Sequence, residues 1–247
     1  MRMLSAIERG MALNYNDYLF DFDGTLVDSM PTFITVMLRI LDENNIKYED
    51  DIVKIITPLG YAGTAKYFME LGVPLSKEEM VTMMKKYAYD EYAHNIPAKA
   101  NVVATLKKLK QEGADLHILT ASPHSVLDVC LKRLGIFDIF TNIWSCDDFG
   151  TTKSDVEIYK MAALKIAKPI NEILFLDDNY NADKTAKLSG MKVCGVYDLS
   201  SEDYTDDIKR VSDYYIYDFS ELLELKCEER KKASHIKRYS YYQKGSV

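Results

Sequence analysis

Acidic side chains in this sequence recur where short apolar runs end. Asp21 and Asp23 leave the run at residues 18–22 within DFDGT, and Asp177 and Asp178 leave EILFL within LDDN. Alternate residues leaving a strand can turn two carboxylates toward one centre, where one attacks and the other moves a proton. A lone Asp at such a place is commonly a turn residue or a helix cap. Four converging carboxylates are different, because without a cation among them their mutual repulsion would be prohibitive. The set Asp21, Asp23, Asp177 and Asp178 therefore reads as a metal site, and an all-oxygen site suits magnesium.

Two further strand ends carry polar groups. The run ADLHILTAS ends on Thr120, Ala121 and Ser122, and Lys153 lies in TTKSDVEIY between an expected strand and an expected helix. Ser122 followed by Pro123 reads as a helix N-cap with proline in the first turn. A solitary lysine is usually a solvated surface residue; Lys153 gains weight from its place in the order of elements.

Charge narrows the partners. The chain of 247 residues carries a net −7, and its segment from Lys226 onward holds seven Lys/Arg against two Glu, so the rest carries −12. An acidic body disfavours nucleic-acid backbones and free phosphate esters alike. A site for a phosphate must then make its own positive field from a metal, a lysine or backbone N–H groups. No apolar run approaches the roughly 20 residues of a membrane span, and the N-terminal residues lack the continuous apolar stretch of an export signal. The expectation is a cytoplasmic protein with no membrane partner. The four cysteines are scattered without a Cys-x-x-Cys pair, which indicates neither a disulfide framework nor a zinc site. His94, His117 and His124 lack ligand spacing, and His117 falls mid-strand, where a packed role is expected.

The elements that must position these groups follow from periodicity. After the first strand, residues 31–95 read as helices with no convincing strand. From residue 97 helix and strand alternate, through ADLHILT, FTNIWS, EILFLD, MKVCGVY and a weaker strand at DYYIYD. Such alternation predicts an α/β fold, a Rossmann-like, doubly wound parallel sheet covered by helices on both faces. The division expected is a core of residues 1–30 and 96–225, a small inserted helical cap at 31–95, and a basic tail at 226–247. Ligands of open parallel sheets bind beyond the carboxyl ends of the strands, where all the groups above lie.

Taken in order, these motifs resemble the haloacid dehalogenase superfamily, in its branch with a helical cap inserted after the first motif, similar to phosphoglycolate and sugar phosphatases. The resemblance covers about residues 17–220, and DFDGTLVDS at residues 21–29 is its most specific part. It implies a magnesium-dependent phosphatase acting on a small phosphorylated metabolite through an aspartyl-phosphate. Asp21 would be the nucleophile and Asp23 the general acid/base. Thr120 would bond a phosphoryl oxygen with help from the Ala121 N–H, and Lys153 would balance the negative charge. Asp178 would bind magnesium directly, Asp177 directly or through water, and Asp183 would support them.

Gly24 would permit a sharp exit from the strand, and Thr25 would orient Asp23 by hydrogen bonding. The family often has Lys-Pro at the third motif, where this chain has Lys153-Ser154. The cap's candidate substrate loop is residues 58–63, with Gly60 and Tyr61 as contacts, although a plain interhelical turn fits as well. That loop has no arginine or histidine to clamp a substrate carboxylate. A β-phosphoglucomutase-like phosphomutase and a non-catalytic binding protein remain as alternatives, and the chain is expected to be a monomer or homodimer.

Overall fold

The computed structural model describes residues 15–49, 51–56 and 59–224. Pro58 of the expected contact loop and the basic tail at 226–247 lie outside the described residues. The sheet is built from β1 (Asp17–Phe20), β2 (Asp115–Thr120), β3 (Asn142–Ser145), β4 (Ile173–Asp177), β5 (Lys192–Val196) and β6 (Tyr214–Ile216), all parallel, in the order β3-β2-β1-β4-β5-β6. β1 is central, and the order reverses beside it, which opens a crevice past its carboxyl end. The weak strand at DYYIYD is the edge strand β6, short because only one neighbour pairs with it.

Strand alternation divides the core in two. Tyr18, Phe20, Leu116, Ile118, Leu174 and Leu176 face one apolar cluster, and Leu19, Leu119, Ile173 and Phe175 face the other. α5 (Val102–Gln111) and α6 (His124–Arg133) cover the first face; α7 (Val156–Ile166) and α8 (Tyr180–Ser189) cover the second. Burial of both faces explains the near-continuous apolar runs of the central strands. Full burial of a side chain such as Phe20 contributes about 2–3 kcal/mol. α9 (Thr205–Val211) packs against β5, where the side chain of Ile208 would meet a Cβ on Gly195 at 2.4 Å.

The residues between β1 and α5 form a helical layer of α1 (Met30–Glu43), α2 (Ile52–Ile56), α3 (Gly60–Glu70) and α4 (Lys77–His94). It has its own apolar core, including Met37, Ile40, Phe68, Met80 and Met84. α4 opens with a capping box, Ser76 against Glu79. The outgoing and returning connectors pair with each other: Asp28 N–H donates to Pro97 O and Lys99 N–H to Leu26 O, both at 3.0 Å. Lys99 then extends its ammonium to Gly24 O and Tyr197 O, each at 2.6 Å, and to Asp198 Oδ2 at 2.8 Å. That one side chain ties the connector to the turn after β1 and to the loop after β5. Among the described residues, no helix is long and apolar enough to cross a membrane.

Candidate active site

β1 delivers its ladder one residue past its end, since Asp21 N–H donates to Leu176 O at 2.8 Å. The Asp21 carboxylate therefore leaves the middle of the sheet, buried, beside the end of β4. Asp21, Asp177 and Asp178 are brought together with one carboxylate oxygen from each within 4.8 Å of the others. Lys153, on the loop before α7, inserts its ammonium between two of them, 2.5 Å from Asp21 Oδ1 and 2.7 Å from Asp177 Oδ2. Tyr159 fixes that loop from behind, its hydroxyl donating to Lys153 O at 3.0 Å.

Burial pushes the Asp21 carboxyl up to about 7, with Asp177 and Asp23 adding to the rise, although the Lys153 ammonium pulls it down. Burial likewise drives Asp178 well above the carboxylate range, with Asp177 and Asp21 reinforcing it. Burial tends to strip Lys153 of its proton, but Asp177 and Asp21 outweigh it and hold the ammonium charged. With all three ionised, the carboxylates would outnumber the one ammonium by two charges, which is what the raised carboxyls of Asp21 and Asp178 resist and a divalent cation would balance. Asp183, fully buried behind the cluster, has an Oδ1 with no hydrogen-bond partner. The residues present thus fit a hard divalent cation held by oxygen.

Gly24 explains its own identity. Its φ of +76° suits glycine, and a Cβ there would stand 2.5 Å from Asp178 Oδ2. Thr25, entirely buried, donates its hydroxyl to Asp178 Oδ1 at 2.9 Å. The expectation that Thr25 orients Asp23 is thereby corrected: it orients Asp178, because the turn at Gly24 sends successive side chains to different sides. Asp23 is not one of the three converging carboxylates. Its Oδ1 accepts from Ser29 Oγ at 2.6 Å and from the Tyr92 hydroxyl, and its Oδ2 accepts from Ser122 Oγ at 2.5 Å. An Asp23 carboxylate ligand to the metal, expected from the sequence, is not among the oxygens that converge.

Ser122 is a second correction. The cap position of α6 is taken by Pro123, in an extended conformation, without a side-chain cap bond. Ser122 instead spends its hydroxyl on Asp23, and its N–H donates to Thr120 Oγ1 at 3.0 Å. Thr120, buried at the end of β2, thus has its oxygen engaged and its own proton free to be donated. Ala121 is exposed beside it. Gly60 and Tyr61, read as a loop, lie in the first turn of α3. The Tyr61 ring stacks on Phe33 at 5.3 Å, and burial together with the negative charge of Asp23 pushes its phenol up to about 12.

His117 is packed, as expected: it is buried against Trp144 and bonded to Asn142. His124 bridges Asp128 and Asp148 on the surface. Tyr92, Ser29 and Lys99 were not found from sequence. A tyrosine near the end of the last helix before the chain returns to the core was the available signal. A cavity of about 590 Å³ opens between α1 and the loop after β5, lined by Phe33, Ile34, Lys99, Tyr197 and Leu199 among others. None of Asp21, Asp177 or Asp178 lines it, and Lys99 at its edge already serves three oxygens, so it is separate from the carboxylate cluster.

The chain resembles known proteins in sequence and in fold. The family model described as haloacid dehalogenase-like hydrolase matches residues 18–196. Pyrophosphatase PpaX of Bacillus velezensis is 29% identical over 182 residues, 72% of this chain and 81% of the relative. A predicted phosphoglycolate phosphatase from Haemophilus somnus superposes with a TM-score of 0.72 at 21% identity, covering 85% of this chain and 97% of that one. CbbY from Rhodobacter sphaeroides, solved with xylulose-(1,5)bisphosphate, superposes with a TM-score of 0.68 at 16% identity, covering 85% and 96%. At these identities the two structures establish the fold.

Proposed function

The chain belongs to the haloacid dehalogenase-like hydrolase family, and we propose that it is a cytoplasmic, magnesium-dependent phosphatase of small phosphorylated metabolites, working through a phosphoryl group carried on Asp21. The observation that carries this reading is the buried Asp21 carboxylate at the end of the central strand, with Lys153 at 2.5 Å and Asp177 and Asp178 in one cluster with it. In this division the core at 1–30 and 96–225 performs the chemistry, and the cap at 31–95 closes over it and selects the substrate.

Asp21 attacks phosphorus, and the bond to the leaving oxygen breaks as Asp23 gives that oxygen a proton. Asp23 then takes a proton from water, which attacks the aspartyl-phosphate, releases inorganic phosphate and restores Asp21. The Thr120 hydroxyl and the Ala121 N–H bond the phosphoryl oxygens, and the Lys153 ammonium balances their charge. Asp21, Asp177 and Asp178 would hold magnesium, which when bound supplies the positive charge that lets a carboxylate approach a phosphate dianion. Gly60 and Tyr61 are proposed as the cap's contacts to the substrate.

The test is phosphate release from a panel of phosphorylated metabolites, with and without magnesium and with Asp21→Asn as the blank. Curated relatives named pyrophosphatase place inorganic pyrophosphate in that panel beside the sugar phosphates and phosphoglycolate. Magnesium-dependent release abolished by Asp21→Asn supports the reading. Turnover unchanged in that variant removes Asp21 from its role, and isomerised sugar phosphate without free phosphate would make the enzyme a mutase.

A further inference from the structure

Asp23, to which both proton transfers are assigned, is gripped from three separate parts of the chain. Ser29 lies on the outgoing connector, Ser122 on the loop after β2, and Tyr92 on α4 of the helical layer. The two serines belong to the core and its connector. Tyr92 alone among these donors comes from the layer that covers the site.

Tyr92 is itself fixed independently of Asp23. Its ring stacks on Phe22 with centroids 6.0 Å apart and planes 24° from parallel. Its carbonyl accepts from Arg133 Nε of α6 at 3.1 Å, and the same guanidinium donates to Ile96 O, so the end of α4 is clamped to the core. Tyr92 packs against both the sheet core and the helical core. Burial and the adjacent charge of Asp23 push its phenol far above the usual range, so the hydroxyl keeps its proton and acts as a donor.

We propose that Tyr92 is the positioning residue for Asp23, a hydroxyl through which the seating of the helical layer on the core controls proton transfer. The proposal rests on the assignment of Asp23 as acid/base above. A carboxylate that rotates between poses delivers its proton on a fraction of encounters; one whose Oδ1 is held from the covering layer is aligned only when that layer is in place. The consequence differs between the two half-reactions. An aryl phosphate with a stable leaving anion needs no proton for the first step, but hydrolysis of the aspartyl-phosphate still needs Asp23 as base.

Tyr92→Phe tests this, since it keeps the ring on Phe22 and the Arg133 bond and removes only the hydroxyl. The full-length enzyme with magnesium is assayed with para-nitrophenyl phosphate and with an alkyl phosphate that the wild type cleaves. Each is measured in single turnover with enzyme in excess and at steady state. The expected result is single-turnover nitrophenolate release within about twofold of wild type, with steady-state kcat and alkyl phosphate cleavage each down about tenfold. Equal loss in every assay, which is what a purely structural role gives, overturns the proposal, and so does any other pattern, including no loss. Asp23→Asn runs beside it: if that variant cleaves the alkyl phosphate at the wild-type rate, the acid/base assignment fails, whereas a normal effect there with a silent Tyr92→Phe removes Tyr92 alone.

Discussion

The ammonium of Lys153 lies 2.5 Å from Oδ1 of Asp21, with Asp21 buried, the Lys153 side chain 14% exposed and the two residues 132 apart in the chain. A cation placed there lets Asp21 remain partly ionised near neutrality despite its burial. Lys153→Met is expected to lower kcat by about 10²–10³-fold, as loss of a charge that stabilises the transferring group does. The fold should survive, because Asp21 without its partner can take up a proton instead of standing charged. Steady-state kinetics beside circular dichroism checks both statements.

Gly24→Ala should damage the metal site more than the fold. The new methyl would stand 2.5 Å from Asp178 Oδ2, on a backbone at φ +76°. Strain of about 1–3 kcal/mol is expected in stability. Magnesium half-saturation, measured by activity titration or calorimetry, should rise by at least about tenfold, since about 1.4 kcal/mol of lost ligand geometry is tenfold in affinity.

Removal of the cation should be visible in stability. The buried carboxyls of Asp21 and Asp178 are raised, so each destabilises the metal-free fold above its unfolded pKa and does so increasingly as pH climbs toward its folded value. Magnesium in excess should raise Tm relative to chelator, with a stabilisation of about 2.7 kcal/mol at a hundredfold over Kd. Asp178→Asn should lose that increment. In chelator at mildly alkaline pH it should be at least as stable as wild type, as scanning calorimetry would show.

Lys99→Ala should loosen the joint between the layers. The lysine serves Gly24 O, Tyr197 O and Asp198 Oδ2, and Asp198 would be left largely buried without its cation. A loss of about 3 kcal/mol is expected from urea denaturation.

His117 gives the pH dependence a defined sign. Burial lowers it from the usual 6.5, outweighing Asp17 and Asp115, which act to raise it. The native state therefore refuses a proton that the unfolded chain accepts. Stability from this group is complete above about 6.5 and falls as pH drops toward the folded value. His117→Gln, which still offers Asn142 a partner, should flatten that acid-side fall in urea midpoints; an unchanged slope would remove His117 as its cause.

The motifs legible in the sequence were those in which a polar group directly follows an apolar strand. Asp21, Thr120 and Asp177 stand at the ends of β1, β2 and β4, and the parallel order that gathers them follows from the alternation of strands and helices. The residues that hold Asp23 were hidden because each has a competing local reading. Ser122 precedes proline and looks like a cap, yet Pro123 takes that position itself. Tyr92 lies 69 residues from Asp23 on a helix that also buries Met80, Met84, Tyr87 and Ala88, so in sequence it reads as one more packed aromatic and nothing nearby marks its hydroxyl. Thr25 was assigned to the wrong carboxylate because only the three-dimensional turn at Gly24 shows that it faces Asp178. Residues 58–63 suggested a loop, but Gly60, at φ +60°, begins α3.

The most direct test is to trap the phosphorylated enzyme. Wild-type protein is mixed with a turned-over phosphorylated substrate and magnesium, quenched in acid within the first turnovers, digested and mapped by mass spectrometry. One phosphoryl group on the peptide containing Asp21, acid-stable, labile to hydroxylamine and missing in Asp21→Asn, is the result expected. A label on another residue, or active wild-type enzyme quenched in turnover with no label on that peptide while Asp21→Asn keeps its activity, would contradict the account.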